Sequence, residues 1–454
     1  MAEQEKQHLK NLDRKIVWHP FTQMQDYAQE DPVIIARGDG VYLEDIDGNR
    51  YLDGFSSMWC NIHGHRVPDI DTAIRNQLDQ VAHSTLLGLS NLPAIRLAEK
   101  LVHITPPDLT RVFYSDNGAT AVEIAVKMAF QYWQQRPDPR PKKKAFLHLT
   151  ESYHGDTLGS VSVGGISLFH EIYRPLLFPT HSVPVPHPYR CENCLGTCDQ
   201  SCQKTLQKTI EEHADETAAF IIEPLIQGAG GMLMHPEGYL KFAAELCKQN
   251  DILLIVDEVA TGFGRTGTMF ACEQENVTPD ILCLGKGLTG GYLPVAATLV
   301  TDEIYNAFLG EYTELKTFYH GHTYTGNPLG CAAALATLNL FEKQKTLEKL
   351  SPKIEYLRQS LTRFETLSYV GDIRQRGFIA AIELVADRET RTPFPWQDKI
   401  GIQVCQEARN KGLLIRPLIN TIVLMPPLNI SGNDLQHMLD ITYNAIHTVT
   451  DKNP

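Results

Sequence analysis

Five short, apolar, β-rich runs, separated by helical stretches, constrain this chain more than any other feature. The runs are "TRVFYS" (110–115), "KAFLHL" (144–149), "AAFIIEP" (218–224), "ILLIVDE" (252–258) and "DILCLGK" (280–286). The last three end at polar or glycine residues. The pattern turns helical in "NGATAVEIAVKMAFQYW" (117–133) and "GYLKFAAELCKQN" (238–250). Such alternation implies an α/β fold with a mostly parallel sheet covered by helices. Ligands of these sheets bind at the carboxyl ends of the strands. The residues ending the runs, Ser115, Glu223, Asp257 and Lys286, are therefore expected to converge.

The flanks read differently. "VYLEDIDGNRYLDGFSSMW" (41–59) has two alternating runs around Asp47-Gly48, a hairpin signal. "DIRQRGFIAAIELV" (372–385) and "GLLIRPLINTIVLMPPL" (412–428) read as strands again. The expected division is a large domain over 66–329 and a smaller α+β domain from both termini, 1–65 and 330–454. A chain of 454 residues has room for two or three domains.

Composition excludes more than it identifies. With 41 basic and 54 acidic side chains the net charge is 41 − 54 = −13. That disfavours nucleic acid or an anionic membrane as the main partner. No apolar run approaches the roughly 20 residues that span a bilayer. The opening "MAEQEKQHLKNLDRK" lacks the apolar core of a secretory signal, so a cytoplasmic protein is expected. Ten cysteines suit a reduced compartment. Four of them, Cys191, Cys194, Cys198 and Cys202, share one loop. Their spacing matches neither the two-pair zinc pattern nor the ferredoxin run, so no metal is expected there and the loop reads as a reduced surface segment.

Lys286 and Asp257 carry the chemistry. A strand-end lysine is usually a solvated residue. Desolvated, however, it forms a Schiff base with an aldehyde cofactor. Asp257, 29 residues earlier, ends another run. An aspartate beside a pyridine nitrogen keeps that nitrogen protonated, so the ring accepts electrons from a carbanion. Together the two point to pyridoxal 5'-phosphate. In "SDNGATAVE" a strand ends, Asn117-Gly118 turns and a helix begins, offering the amides of Gly118, Ala119 and Thr120 to a phosphate. Tyr153, in "ESYHGDT", follows a strand and can stack on the ring.

These motifs resemble those of the class III aminotransferases, in the fold-type I pyridoxal phosphate group. The resemblance runs from "WHPFTQM" (18–24) through "DGFSSMWCNIHGH" (53–65), "SYHGDTLG" and "FYHGHTYTGNPLGCAAA" (318–334) to "RPLINTIVLMPP" (416–427). It implies that Lys286 holds the cofactor and moves the reacting proton, that Asp257 pairs with the ring nitrogen, and that Gly118 and Ala119 hold the phosphate. It also implies that Tyr153 stacks on the ring, that His322 and Thr323 reach the phosphate across a homodimer, and that Glu223 stands behind the site. The substrate pocket it implies has Trp59 as a wall, Gly321 at the edge, Phe21 and Met58 nearby, and Arg416 binding a carboxylate. Arg265 is a second candidate for substrate recognition, a structural role at the dimer interface being its alternative. The branch most resembled makes 7,8-diaminononanoate from 8-amino-7-oxononanoate for biotin.

Two departures bear on the amino donor. Members using S-adenosylmethionine typically have tyrosine where this chain has Phe21, and tryptophan where it has Met58. A bulky sulfonium donor then loses stacking and one hydrogen bond, which favours lysine. Two other readings compete. An ω-aminotransferase acting on ornithine, 4-aminobutyrate or a diamine would share the cofactor machinery. Gly262–Gly267 fits the G-x-G-x-x-G spacing of a dinucleotide turn, but no helix pattern opens there.

Overall fold

The structure, a computed structural model, describes residues 1–191 and 200–452. Cys194 and Cys198 lie outside the described residues. Cys191 and Cys202 are not in disulfides. Among the described residues no helix is long and apolar enough to cross a membrane.

A seven-stranded sheet forms the centre. In order across it run Leu109–Ser115, Ala296–Thr301, Ile281–Leu284, Leu253–Asp257, Thr217–Ile222, Ala145–Leu149 and His181–Val183. The five runs of the sequence are all strands of this sheet, and all five lie parallel. Ala296–Thr301 is antiparallel to both its neighbours. The sequence pattern does not reveal it, nor the short strand His181–Val183. Alternation along the strands explains the burial. Ala219, Ile221, Leu253, Ile255, Ile281 and Cys283 pack with the helix Gly118–Gln135 on one face. Phe220, Ile222, Leu254, Val256, Leu282 and Leu284 face the other core. A strand buried on both faces must be apolar throughout, which is why these runs stand out in the sequence.

Two smaller sheets flank this one. Ile35–Asp39, Tyr42–Asp45 and Arg50–Asp53 form an antiparallel meander, with Gly48 at φ +88° in the hairpin. Its last strand pairs in parallel with Leu413–Leu414, so Asp53 lies opposite Leu414 and the two ends of the chain share a sheet. Val370–Arg376, Ile379–Asp387, Thr421–Leu424 and Arg416–Leu418 form the second flanking sheet, joined by Thr392–Pro393 at its edge.

Candidate active site

Asp257 ends its strand opposite Cys283, three residues before Lys286. The helix Gly118–Gln135 begins against the same place. A Cβ on Gly118 would lie 2.4 Å from Val259 Cγ1, and one on Gly285 would lie 3.4 Å from Gly118 Cα. Only glycine lets the helix start this close to the two strand ends. Asn117 caps it, accepting from Thr120 N at 3.0 Å, while Thr120 Oγ1 accepts from Asn117 N at 3.1 Å. The amide of Thr120 is therefore taken, contrary to the sequence expectation. The amides of Gly118 and Ala119 remain directed outward at the positive end of the helix.

Lys286 is half-buried, at φ +39°, a conformation costly for a residue with a side chain. Its Nζ lies 5.2 Å from the centroid of the Trp59 ring. Burial holds the amine below its usual pKa, with the charges of Asp257 and Glu223 opposing that shift. A lysine so placed gives up its proton more readily than a solvated one, which suits a nucleophile and base.

Asp257 is buried and held on both oxygens. Oδ1 accepts from Val259 N at 3.0 Å, and Oδ2 lies 2.7 Å from His154 Nδ1. His154 has no side-chain exposure, and its Nε2 has no partner. Sequence reasoning misses His154, although it stands beside Tyr153 at the same strand end. Glu223 accepts from Tyr153 N at 3.0 Å and Gly228 N at 2.9 Å. Burial raises its pKa to about 7, opposed by the charge of His154. The Tyr153 hydroxyl donates to Asp156 at 2.7 Å, and burial lifts its pKa further. Ser115, expected to converge with these residues, is buried with its Oγ unpartnered.

The apolar wall comes from elsewhere. Trp59 is buried and packs with Ile226, Met232, Ile379, Val423 and Met425. Residues Ser56, Ser57, Met58 and Trp59 have φ of +50°, +39°, +68° and +70°, one turn of left-handed helix. Left-handed helix costs L-residues about 1–2 kcal/mol each, so the surroundings must impose it. Met58 is exposed on this turn. Phe21 is 55% exposed, yet its ring meets Phe169 at 5.3 Å, and Phe169 meets Tyr153 at 6.4 Å. Arg416 is half-buried on the strand Arg416–Leu418, and no hydrogen bond or ion pair engages its guanidinium among the described residues. Burial lowers its pKa.

Two expected substrate residues stand apart. Arg265 is 1% exposed; Nη1 donates to Pro426 O and Nη2 to Asn61 O, each at 2.7 Å. Burial brings its pKa to about 10. Two of its nitrogens are thus taken by backbone carbonyls while Nε has no partner, and Arg265 ties residues near the chain's two ends to the loop after Asp257. Gly321 is exposed and lines a separate cleft of about 290 Å³ with Leu86, Leu87, Ser90 and Ile95. Thr323 is exposed as well, and His322 Nδ1 lies 2.9 Å from Asp116 Oδ2. No helix opens at Gly262–Gly267, so the dinucleotide reading falls.

A half-buried amine, a doubly held carboxylate and a helix N-terminus with the Gly118 and Ala119 amides unengaged meet at one place. This donor set fits an aromatic aldehyde that bears a phosphate. The family model for "Aminotransferase class-III" matches residues 24–446. The chain belongs to the class III aminotransferases and is a pyridoxal-phosphate-dependent transaminase. It is 53% identical over 453 residues to the adenosylmethionine-8-amino-7-oxononanoate aminotransferase of Geobacter sulfurreducens, covering 99% of this chain and 100% of that one. The crystal structure of the enzyme of that name from Methanocaldococcus jannaschii superposes with a TM-score of 0.93 at 50% identity, over 98% of this chain and 99% of the other. An (S)-enantioselective omega-transaminase from Thermomicrobium roseum superposes at 0.92 with 34% identity, over 98% of each chain.

Proposed function

We propose that this enzyme transfers an amino group to 8-amino-7-oxononanoate, giving 7,8-diaminononanoate in biotin synthesis. The unengaged guanidinium of Arg416, on a strand whose partner residue Val423 packs in the Trp59 cluster, carries the reading. The acceptor has a long apolar chain with a single carboxylate. A desolvated guanidinium binds a carboxylate bidentately, and an indole covers the chain. Relatives at about 50% identity bearing the corresponding name support the same assignment.

Pyridoxal phosphate supplies an aldehyde that carries the amino group and a ring that accepts electron density when a C–H bond breaks. Lys286 Nζ holds the cofactor and then moves the proton, with its pKa lowered by burial. Asp257, oriented by His154 and Val259 N, would pair with the ring nitrogen and keep it protonated. The Gly118 and Ala119 amides would hold the phosphate, and Tyr153 would cover the ring. Glu223 fixes the Tyr153 loop through the amide of Tyr153.

Thr323 and His322 complete the phosphate site of a second copy in a homodimer, which accounts for the exposure of the loop they occupy. On this reading 66–329 carries the cofactor, and the chain's two ends carry the wall. The setting is the cytoplasm. Lysine is the amino donor, because Phe21 offers no hydroxyl and Met58 no indole to a sulfonium.

The test adds lysine, S-adenosylmethionine, ornithine and 4-aminobutyrate separately to yellow holoenzyme and follows the cofactor absorbance, then adds the keto acid. Bleaching by lysine with recovery by 8-amino-7-oxononanoate is expected. Recovery by other ketones but not this one would sink the acceptor assignment. Bleaching by S-adenosylmethionine alone would overturn the donor.

A further inference from the structure

The left-handed turn at residues 56–59 is made of two serines, a methionine and a tryptophan, with no glycine to ease it. Something must hold it. Asp53 is 0% exposed and precedes the turn. Its Oδ1 accepts from Ser57 N at 2.8 Å, and its Oδ2 accepts from Ser57 Oγ at 2.9 Å. Both carboxylate oxygens thus grip one residue of the turn. The carboxylate is itself fixed. His65 Nε2 lies 2.9 Å from Asp53 Oδ2, and His65 Nδ1 lies 3.0 Å from Asn61 Nδ2. An amide N–H must donate to Nδ1, so Nε2 carries the hydrogen and donates to Asp53. Asn61 O in turn accepts from Arg265 Nη2. Ser56 Oγ donates to Met425 O, and Gly54 N donates to Leu414 O at 2.9 Å.

We propose that Asp53 is the positioning residue of the substrate wall: by folding residues 56–59 left-handed it turns the Trp59 ring toward Lys286. The proposal rests on the reading of Trp59 as a wall of the acceptor pocket. Asp53 touches no reacting atom. It acts through the backbone of Ser57, and the His65–Asn61–Arg265 chain keeps it in register with the loop after Asp257. The same turn wound right-handed would carry the indole away from the Lys286 amine, because the Cα–Cβ direction changes with the sign of φ.

The experiment uses holoenzyme and reads two quantities: KM and kcat for 8-amino-7-oxononanoate, and the near-ultraviolet circular dichroism band of Trp59, defined as wild type minus Trp59→Phe. Asp53→Ala is expected to raise KM about tenfold with a smaller change in kcat, since a wall displaced by an ångström costs up to about a hundredfold. It also removes the Trp59 band. Asp53→Asn, which keeps an acceptor for Ser57 N–H, retains most of both. Ser57→Gly added to Asp53→Ala lowers KM again, because glycine takes positive φ freely. Asp53→Ala added to Trp59→Phe raises KM no further.

Wild-type KM and an unchanged band in Asp53→Ala would overturn the proposal. So would a full additional KM rise in the Trp59→Phe background. Should Asp53→Ala not fold, Asp53→Asn with Ser57→Ala stands in for it and is read by the same criteria. If Trp59→Phe leaves KM unchanged, the acceptor-pocket reading is what fails, and the band alone decides whether Asp53 sets the turn.

Discussion

Asp257 and Lys286 leave regular strands of the central sheet, whereas Trp59 and Arg416 arrive from opposite ends of the chain. The first pair needs little beyond strand, turn and helix. The second pair depends on a left-handed turn, a parallel pairing of Asp53 with Leu414, and Arg265 bridging Asn61 to Pro426. A cofactor has fixed dimensions, and a sheet edge suits it well. A substrate wall must be shaped to one molecule, and the one proposed here is assembled from pieces far apart in sequence. Changes in the sheet half should therefore act on chemistry and folding, and changes in the wall on recognition.

The largest test of that contrast is Lys286→Ala. It should bind the cofactor yet lose about 10⁴-fold in kcat, the upper range for a missing acid–base group, measured by steady-state transamination. A variant with substantial turnover would break the comparison at its base.

Glu258 comes next. It is fully buried, accepts from Thr261 Oγ1 and Cys272 N, and burial raises its pKa from 4.5 to about 7. The fold favours the protonated form. Its contribution is full below pH about 4.5 and is lost as pH rises through about 7, on the order of 3 kcal/mol. Glu258→Gln should keep both contacts and flatten that fall. Denaturant unfolding across pH 4–9 checks it, and parallel curves for the two proteins would refute it.

Arg416→Ala probes the wall. KM for 8-amino-7-oxononanoate should rise about 30-fold, roughly 2 kcal/mol for a charged hydrogen bond, with the donor half-reaction unaffected. Equal loss in both halves would erase the distinction between cofactor site and wall.

Phe21→Tyr is the mildest change. A new hydroxyl should shift the preference toward S-adenosylmethionine by about fivefold, near 1 kcal/mol. Paired single-turnover rates with the two donors read it directly.

Much of this site is legible in the amino-acid sequence. Strands buried on both faces are apolar at every position, so Val256 and Leu284 announce their strands without help. A polar residue closing such a run has one place to go, which singles out Asp257 and Lys286. The antiparallel strand Ala296–Thr301 escapes notice because it follows a glycine-rich turn and has no pattern of its own. Arg265 reads as a substrate ligand because the resemblance implies a loop arginine near the substrate site. Its burial depends on two backbone carbonyls 161 and 204 residues away. Thr120 reads as a free amide because a cap is a matter of side-chain geometry, and Asn117 takes that amide.

The sequence by itself determined five parallel strands of the sheet, the helix that opens on it, and the lysine–aspartate pair at the strand ends. These follow from local periodicity and from where apolar runs stop. Only the tertiary structure decided the rest: His154 beside Asp257, the unengaged guanidinium of Arg416, and a left-handed turn whose Ser57 is held by Asp53. The reason is physical. Local propensity is a property of neighbours in the chain, and it argues against positive φ at Ser57 or Met58. A strained conformation persists only where distant groups outweigh that preference, and those groups meet only once the chain has folded.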